Sequence, residues 1–299
     1  MDLKPEVLQI DLKKVAFDLE KEIRNRMKEL HREGIILGIS GGIDSAVALA
    51  LAAGAAGRDN VLGLILPERD SHPESRTDAI EHAKSLGIKI REVNIEPMLR
   101  RLGIYKLFPE PLFMPRRIIE KFVKKQFEKS IKTSKEPLFL SGMLGNPSVL
   151  AKKTSAYYRS KHRMRMITLY FYGELHNYLM LGTCNKTEIS IGFFVKYGDS
   201  ASDFDPLKNL YKMQVRQLAH HLGVTQKIII KAPTPDLLPG ITDELAMGIT
   251  YEILDLILFG LENKMESSKI AKELGINEET VNYVQELNRC SQHMRDTGH

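Results

Sequence analysis

The stretch GIILGISGGIDSAVALALA (Gly34–Ala52) decides how the rest of the chain is read. A short apolar run, ending at Gly38, has the length and composition of a buried strand. Ser40, Gly41 and Gly42 follow, then one free position, then Asp44 and Ser45, and an alanine-rich helix begins at once. A strand that turns through glycines into a helix start makes an anion site. The first amides of a helix lack intrahelical partners and point outward, and the macrodipole adds partial positive charge there. Glycines let the backbone approach phosphate oxygens with no Cβ in the way. The Ser40 and Ser45 hydroxyls add donors. No lysine follows the glycines, so the loop is not a Walker A motif, and the spacing does not match GxGxxG. Asp44 is the odd residue, because a carboxylate beside a phosphate cradle repels phosphate unless a cation lies between them. A hydrated Mg²⁺ would resolve that repulsion; a plain helix-capping role for Asp44 is the alternative.

Outward from this loop, strands and helices alternate. Residues 11–32 repeat Leu12, Val15, Leu19, Ile23, Met27 and Leu30 at helical spacing. Val61–Pro67 reads as a second buried strand. Ser71–Leu86 reads as a helix capped by Ser71, with Pro73 in its first turn. IKIREVNI then alternates as a third strand. The pattern predicts an α/β fold, a doubly wound, Rossmann-like parallel sheet flanked by helices. Further on, a helix through RSKHRMRMITLYFYGEL, a strand YLMLGT ending at Thr183, and a helix over Asn209–Leu222 are expected. So are an apolar helix YEILDLILFGLE and two last helices meeting at Gly275. The whole chain, 1–299, reads as one domain with a helical tail over 262–299.

The interruption is residues 105–150, a basic helical insertion rich in proline at its start. Between Pro115 and Arg165 fourteen Lys or Arg stand against three Glu, a local balance of +11 in a chain of net charge +5. Charge this localised points to a specific anionic ligand or partner, and it makes nucleic acid an unfavoured partner. Ile118, Ile119, Phe122, Val123, Phe127 and Ile131 share one helical face with Lys and Arg opposite. A packed surface helix, a lid over the site, or a contact to a membrane or nucleic-acid surface are the readings of that face. No apolar run reaches the roughly 20 residues of a membrane span. The charged N-terminus lacks a signal-peptide core. Two cysteines, Cys184 and Cys290, with no CxxC pair, suit a reducing cytoplasm.

The SGGIDS loop resembles the SGGxDS loop of the ATP pyrophosphatase (PP-loop) superfamily, within the adenine nucleotide alpha hydrolase-like folds. There, ATP is split between its α and β phosphates. The second half of the chain resembles one family of that group, the ammonia-dependent NAD synthetases. The matching residues are Gly182-Thr183, Asn185-Lys186-Thr187-Glu188, Gly192-Phe193-Phe194, Lys196-Tyr197-Gly198-Asp199, Asp203 and Leu210-Tyr211-Lys212. HRMRM, APTPDLLPGITDE and SQHMR resemble further motifs of the same family, in the same order. The chain departs from the pattern at His293-Met294-Arg295, at TDELAMG and at GDSASD.

The resemblance implies ATP and Mg²⁺ as cofactors, and deamido-NAD and ammonia as substrates. Gly38, Ile39, Ser40, Gly41, Gly42, Ile43, Asp44 and Ser45 would hold ATP phosphates, and Thr183, Lys212 and Thr234 would also contact ATP. Asp44 and Glu188 would ligate the metal. Arg163, Lys196, Asp203 and His293 would hold deamido-NAD. Asp44 and Lys212 would carry the catalytic charge. The implied reaction adenylates the nicotinate carboxylate, and ammonia then displaces AMP. With no room expected for a glutaminase domain, nitrogen would come from free ammonia or a separate partner. A homodimer is implied as well. The alternative is a related PP-loop enzyme that adenylates another carboxylate or an RNA base.

Overall fold

The computed structural model describes residues 2–108, 116–133, 138–145, 148–234 and 240–296. The proline-rich start of the basic segment and part of the APTPDLLPG motif lie outside them, as does the Phe122 side chain.

Helix α1 (Leu12–Glu29) leads into β1 (Gly34–Gly38), α2 (Ile43–Ala56), β2 (Val61–Ile65), α3 (Pro73–Ser85), β3 (Lys89–Glu92) and α4 (Glu96–Arg101). Two helices of the basic segment follow, α5 (Arg116–Thr133) and α6 (Leu138–Met143), then the long α7 (Val149–His176) and β4 (Tyr178–Met180). The rest is helical: α8 (Lys186–Ile191), α9 (Lys212–His221), α10 (Gln226–Ile230), α11 (Asp243–Met247), α12 (Tyr251–Glu262), α13 (Ser267–Leu274), α14 (Glu278–Cys290) and α15 (Gln292–Arg295).

All strand pairs are parallel, and the sheet order is β3-β2-β1-β4. The chain builds outward from β1 to β3, then returns through α7 to place β4 on the other side of β1. The order therefore reverses between β1 and β4, where an open α/β sheet leaves a crevice at its carboxyl edge. Side chains alternate about the sheet as pleating requires. Ile35 and Leu37 enter a core with α1, α2 and α9, whereas Ile36 packs with Leu169 of α7 and Leu99 of α4. The expected doubly wound sheet is what the structure contains.

A third core gathers α12, α13 and α14 around Tyr251, Leu254 and Val284. Leu140 of α6 is buried in it, so this part of the basic segment is integral to the fold. The backbone of α5 at Glu120 passes beside Gly240, on the chain leading to α11. Helix α3 is capped by the His72 ring, which accepts from the Glu74 amide, and not by Ser71. The Ser71 hydroxyl is occupied with the Glu68 amide. Helix α7 starts ten residues before the predicted helix, because Ser148 caps it at Val149.

Gly41 is held at φ +75°. A Cβ there would lie 2.1 Å from the Ser75 carbonyl oxygen, so the loop can pass under α3 only with glycine. Gly275 has φ +63° but open space around it. Gly275→Ala should lose only the left-handed penalty, about 1–2 kcal/mol. Gly41→Ala should lose clearly more in urea unfolding and weaken nucleotide binding, while Gly275→Ala leaves nucleotide binding intact.

Candidate active site

The loop from β1 is braced by its own hydroxyls. Ser45 Oγ donates to the Gly42 carbonyl at 2.9 Å and accepts from the Ser40 amide at 3.2 Å, and Ser40 Oγ accepts from the Gly42 amide. Asp44 is not a cap. Gly42 occupies the cap position of α2, and the Asp44 carboxylate points across the switch point. One of its oxygens accepts from Asn185 Nδ2 at 2.9 Å and the other from Lys212 Nζ at 2.5 Å.

Asn185 and Glu188 come from the carboxyl end of β4. They form a capping box on α8: the Glu188 amide donates to Asn185 Oδ1, and the Asn185 amide to Glu188 Oε2. This leaves Glu188 Oε1 facing Lys212 Nζ at 3.2 Å. Lys212 is the first residue of α9 and only 1% exposed. A lysine at a helix start opposes the macrodipole, so local helix chemistry does not account for it. Burial disfavours its charge, but Asp44, Glu188 and Asp243 outweigh burial and hold the ammonium above the ordinary lysine range. Burial pushes Glu188 up, Asp44 and Asp243 add to the rise, and Lys212 opposes it, to a value of about 8. Asp243 is raised to about 6, chiefly by burial, and one of its oxygens accepts from the Tyr251 hydroxyl.

The remaining predicted residues fall in two places. Thr183 is half-buried three residues past β4, which ends at Met180 and not at Thr183 as expected, and Thr234 is exposed, donating to the Ile241 carbonyl at 3.0 Å. The chain beside Thr234 meets the site: the Asp243 amide donates to the Pro233 carbonyl. Lys231 is anchored to Asp78 and Ser75 on α3. Lys196 and His293 are brought together, since Lys196 Nζ donates to the His293 and Asp296 carbonyls at 2.9 and 2.6 Å. Arg163 donates to the Lys196 carbonyl at 3.2 Å. Asp203 does not join them by hydrogen bond; it accepts from the Met180 amide at 2.8 Å and weakly from the Tyr170 hydroxyl. The tail bearing His293 is tied down by Arg295, which donates to the Ser190 carbonyl at the end of α8 and to the Asn288 carbonyl of α14, both at 2.7 Å.

The sequence reading missed several groups. Asn185, Asp243 and Tyr251 belong to the charge cluster. Lys161 reads as one of a basic run, yet it is fully buried and paired with Glu68 at 3.2 Å and Asp70 at 2.5 Å. A carboxylate in the apolar run of α12, Asp255, is the one local signal that stood in the sequence.

Two hard carboxylate oxygens facing one cation position suit Mg²⁺, which keeps several waters and takes its other ligands from phosphates. They do not suit an all-protein cage, and among the described residues no group of three or more acids, histidines and cysteines is placed to hold a metal.

The fold and this placement of charge define the class, a doubly wound α/β protein with a buried cluster of one ammonium and two carboxyl groups at its switch point. Known proteins narrow the class. The sequence model described as NAD synthase matches residues 15–111 and 115–298. The NH(3)-dependent NAD(+) synthetase of Thermotoga maritima is 44% identical over 246 residues, covering 82% of this chain and 86% of that one. Its counterpart in Thermococcus sibiricus is 37% identical over 287 residues, 96% of each chain. The solved NMN synthetase of Francisella tularensis superposes with a TM-score of 0.70 at 26% identity, covering 97% of this chain and 98% of that one. The chain belongs to the NAD synthase family.

Lys212→Met would strand two acids in a buried site. It should cost on the order of 3–5 kcal/mol in urea unfolding, and Lys212→Met/Glu188→Gln should recover part of that loss. The raised Asp243 carboxyl carries a pH signature. Its neutral form is favoured by folding, so its destabilising contribution is absent below the ordinary value of 3.8 and complete above about 6. Between those pH values the ligand-free protein should lose melting temperature more steeply than Asp243→Asn does.

Proposed function

We propose that the chain is an ammonia-dependent NAD synthetase, a ligase that uses ATP to activate the nicotinate carboxylate of deamido-NAD. The carboxylate attacks the α-phosphate, pyrophosphate leaves, ammonia attacks the acyl-adenylate, and AMP departs. The observation that carries this reading is the Lys212 ammonium, buried between Asp44 and Glu188 beyond the carboxyl ends of β1 and β4. Mg²⁺ held through Asp44 and Glu188 would supply charge neutralisation on the departing pyrophosphate.

The chain's own groups account for the rest. The α2 amides and the Ser40 hydroxyl would receive phosphate oxygens, while the Ser45 hydroxyl, donating to the Gly42 carbonyl, braces the loop. Lys212 is fixed near the same point, so its charge opposes the negative charge that grows on the leaving group. No nucleophile is needed, because the substrate carboxylate attacks. Cys184 is unsuited to that role: it is buried, and burial holds its thiol well above the ordinary range. Arg163, Lys196 and His293, linked through backbone carbonyls, form the side on which deamido-NAD would bind, with Arg163 suited to a phosphate.

The proposed assembly is a homodimer. Ile167, Phe171 and Leu175 recur at four-residue spacing along α7 and are 55%, 61% and 61% exposed. An apolar stripe of this kind suits a second copy. No helix of the described residues is long and apolar enough to cross a membrane.

Incubation with deamido-NAD, ATP, Mg²⁺ and ammonium should yield NAD, AMP and pyrophosphate in equal amounts. Turnover of nicotinic acid mononucleotide in preference to deamido-NAD would reassign the acceptor, and pyrophosphate release with neither would exclude both. Phe171→Glu should shift the protein from dimer to monomer in light scattering; an unchanged mass would remove α7 from the interface.

A further inference from the structure

Lys212 can reach both Asp44 and Glu188 only if α9 begins at a fixed place relative to α8. Helix α9 does not secure that by itself. It starts behind Tyr211, whose side chain makes no cap bond, and with a cation against its dipole; its own contribution is the Gln214 side chain, which accepts from the Tyr211 amide. Its first two amides are satisfied from other elements. The Lys212 amide donates to Thr187 Oγ1 on α8 at 2.9 Å, and the Met213 amide donates to Asp255 Oδ2 on α12 at 2.7 Å. The circuit closes because the Thr187 hydroxyl donates to Asp255 Oδ1 at 2.5 Å.

Both side chains are fully buried. Thr187 adjoins Glu188 in the chain, and Lys212 heads the helix that Asp255 caps. The bond between Thr187 and the Lys212 amide thus ties the backbone of one acid to that of the ammonium facing it. We infer that Asp255 and Thr187 are positioning residues for the reaction: a cap supplied by α12 and α8 that sets the reach of Lys212 to Asp44 and Glu188. Neither residue need touch substrate.

The inference rests on the proposed function, and its test separates the two. Thr187→Val keeps the shape and removes the hydroxyl, Thr187→Ser keeps the hydroxyl, and Asp255→Asn replaces an acceptor with a donor. Steady-state kinetics with deamido-NAD, ATP, Mg²⁺ and ammonium are measured beside wild type, with folded fraction and melting temperature recorded for each. A displaced Lys212 weakens charge stabilisation in the transition state more than ground-state binding. Thr187→Val should therefore lose kcat roughly tenfold to hundredfold, with KM for ATP and deamido-NAD changing little. Thr187→Ser should recover most of kcat. The Thr187→Val/Asp255→Asn pair should fall no lower than the worse single variant, because both break one circuit. An inactive wild type would refute the function and leave this circuit without a reaction to serve. An active wild type with Thr187→Val within about twofold in kcat would overturn the positioning role. So would single losses that multiply in the pair, or a kcat loss matched by an equal loss of folded protein. If Asp255→Asn does not fold, Thr187→Val against Thr187→Ser decides the matter alone.

Discussion

One buried ammonium organises this molecule. Lys212 sits where water cannot solvate it, and the cost of that burial is offset by carboxylates from two other elements: Asp44 at the start of α2 and Glu188 at the start of α8. The sheet order explains why those starts meet. Helix α2 leaves β1 and α8 leaves the chain after β4, and these strands are neighbours at the point where the winding reverses. A swap of either strand's position would separate the acids and leave the lysine unpaired in the interior.

Each core holds one wall of the site. The α1–α2–α9 core sets the helix starts that carry Asp44 and Lys212, and the α7 layer carries Arg163 toward Lys196. The C-terminal core carries α12, and with it Asp255. Through Arg295 the tail is joined to the end of α8, so the helix that presents Glu188 at one end holds the His293 segment at the other. A six-residue helix is thereby tied to both halves of the site.

The parts legible in the sequence are those with a local cause. Apolar runs and glycines reveal β1, β2 and the loop, since burial and backbone freedom act within a few residues. The roles expected of Asp44, Glu188 and Lys212 come from matching motifs in order; taken alone, Asp44 keeps a helix cap as its alternative, and a lone lysine such as Lys212 reads more readily as a solvated helix residue. Lys161 hides in a basic run because its partners, Glu68 and Asp70, lie some ninety residues earlier. Asp255 is different. An acid inside YEILDLILFGLE contradicts its surroundings and signals a buried partner, but which partner depends on packing between α8, α9 and α12. Ser71 and His72 show the limit at a helix end, where two adjacent residues can cap and a competing bond to Glu68 decides between them.

The chemistry can be followed by the fate of one atom. If the carboxylate of deamido-NAD is adenylated, turnover of substrate labelled with ¹⁸O in that carboxylate must place one labelled oxygen in AMP, because ammonia breaks the bond between the acyl carbon and that oxygen. The account predicts labelled AMP, with label absent from pyrophosphate. AMP without label, with NAD still formed, would contradict it.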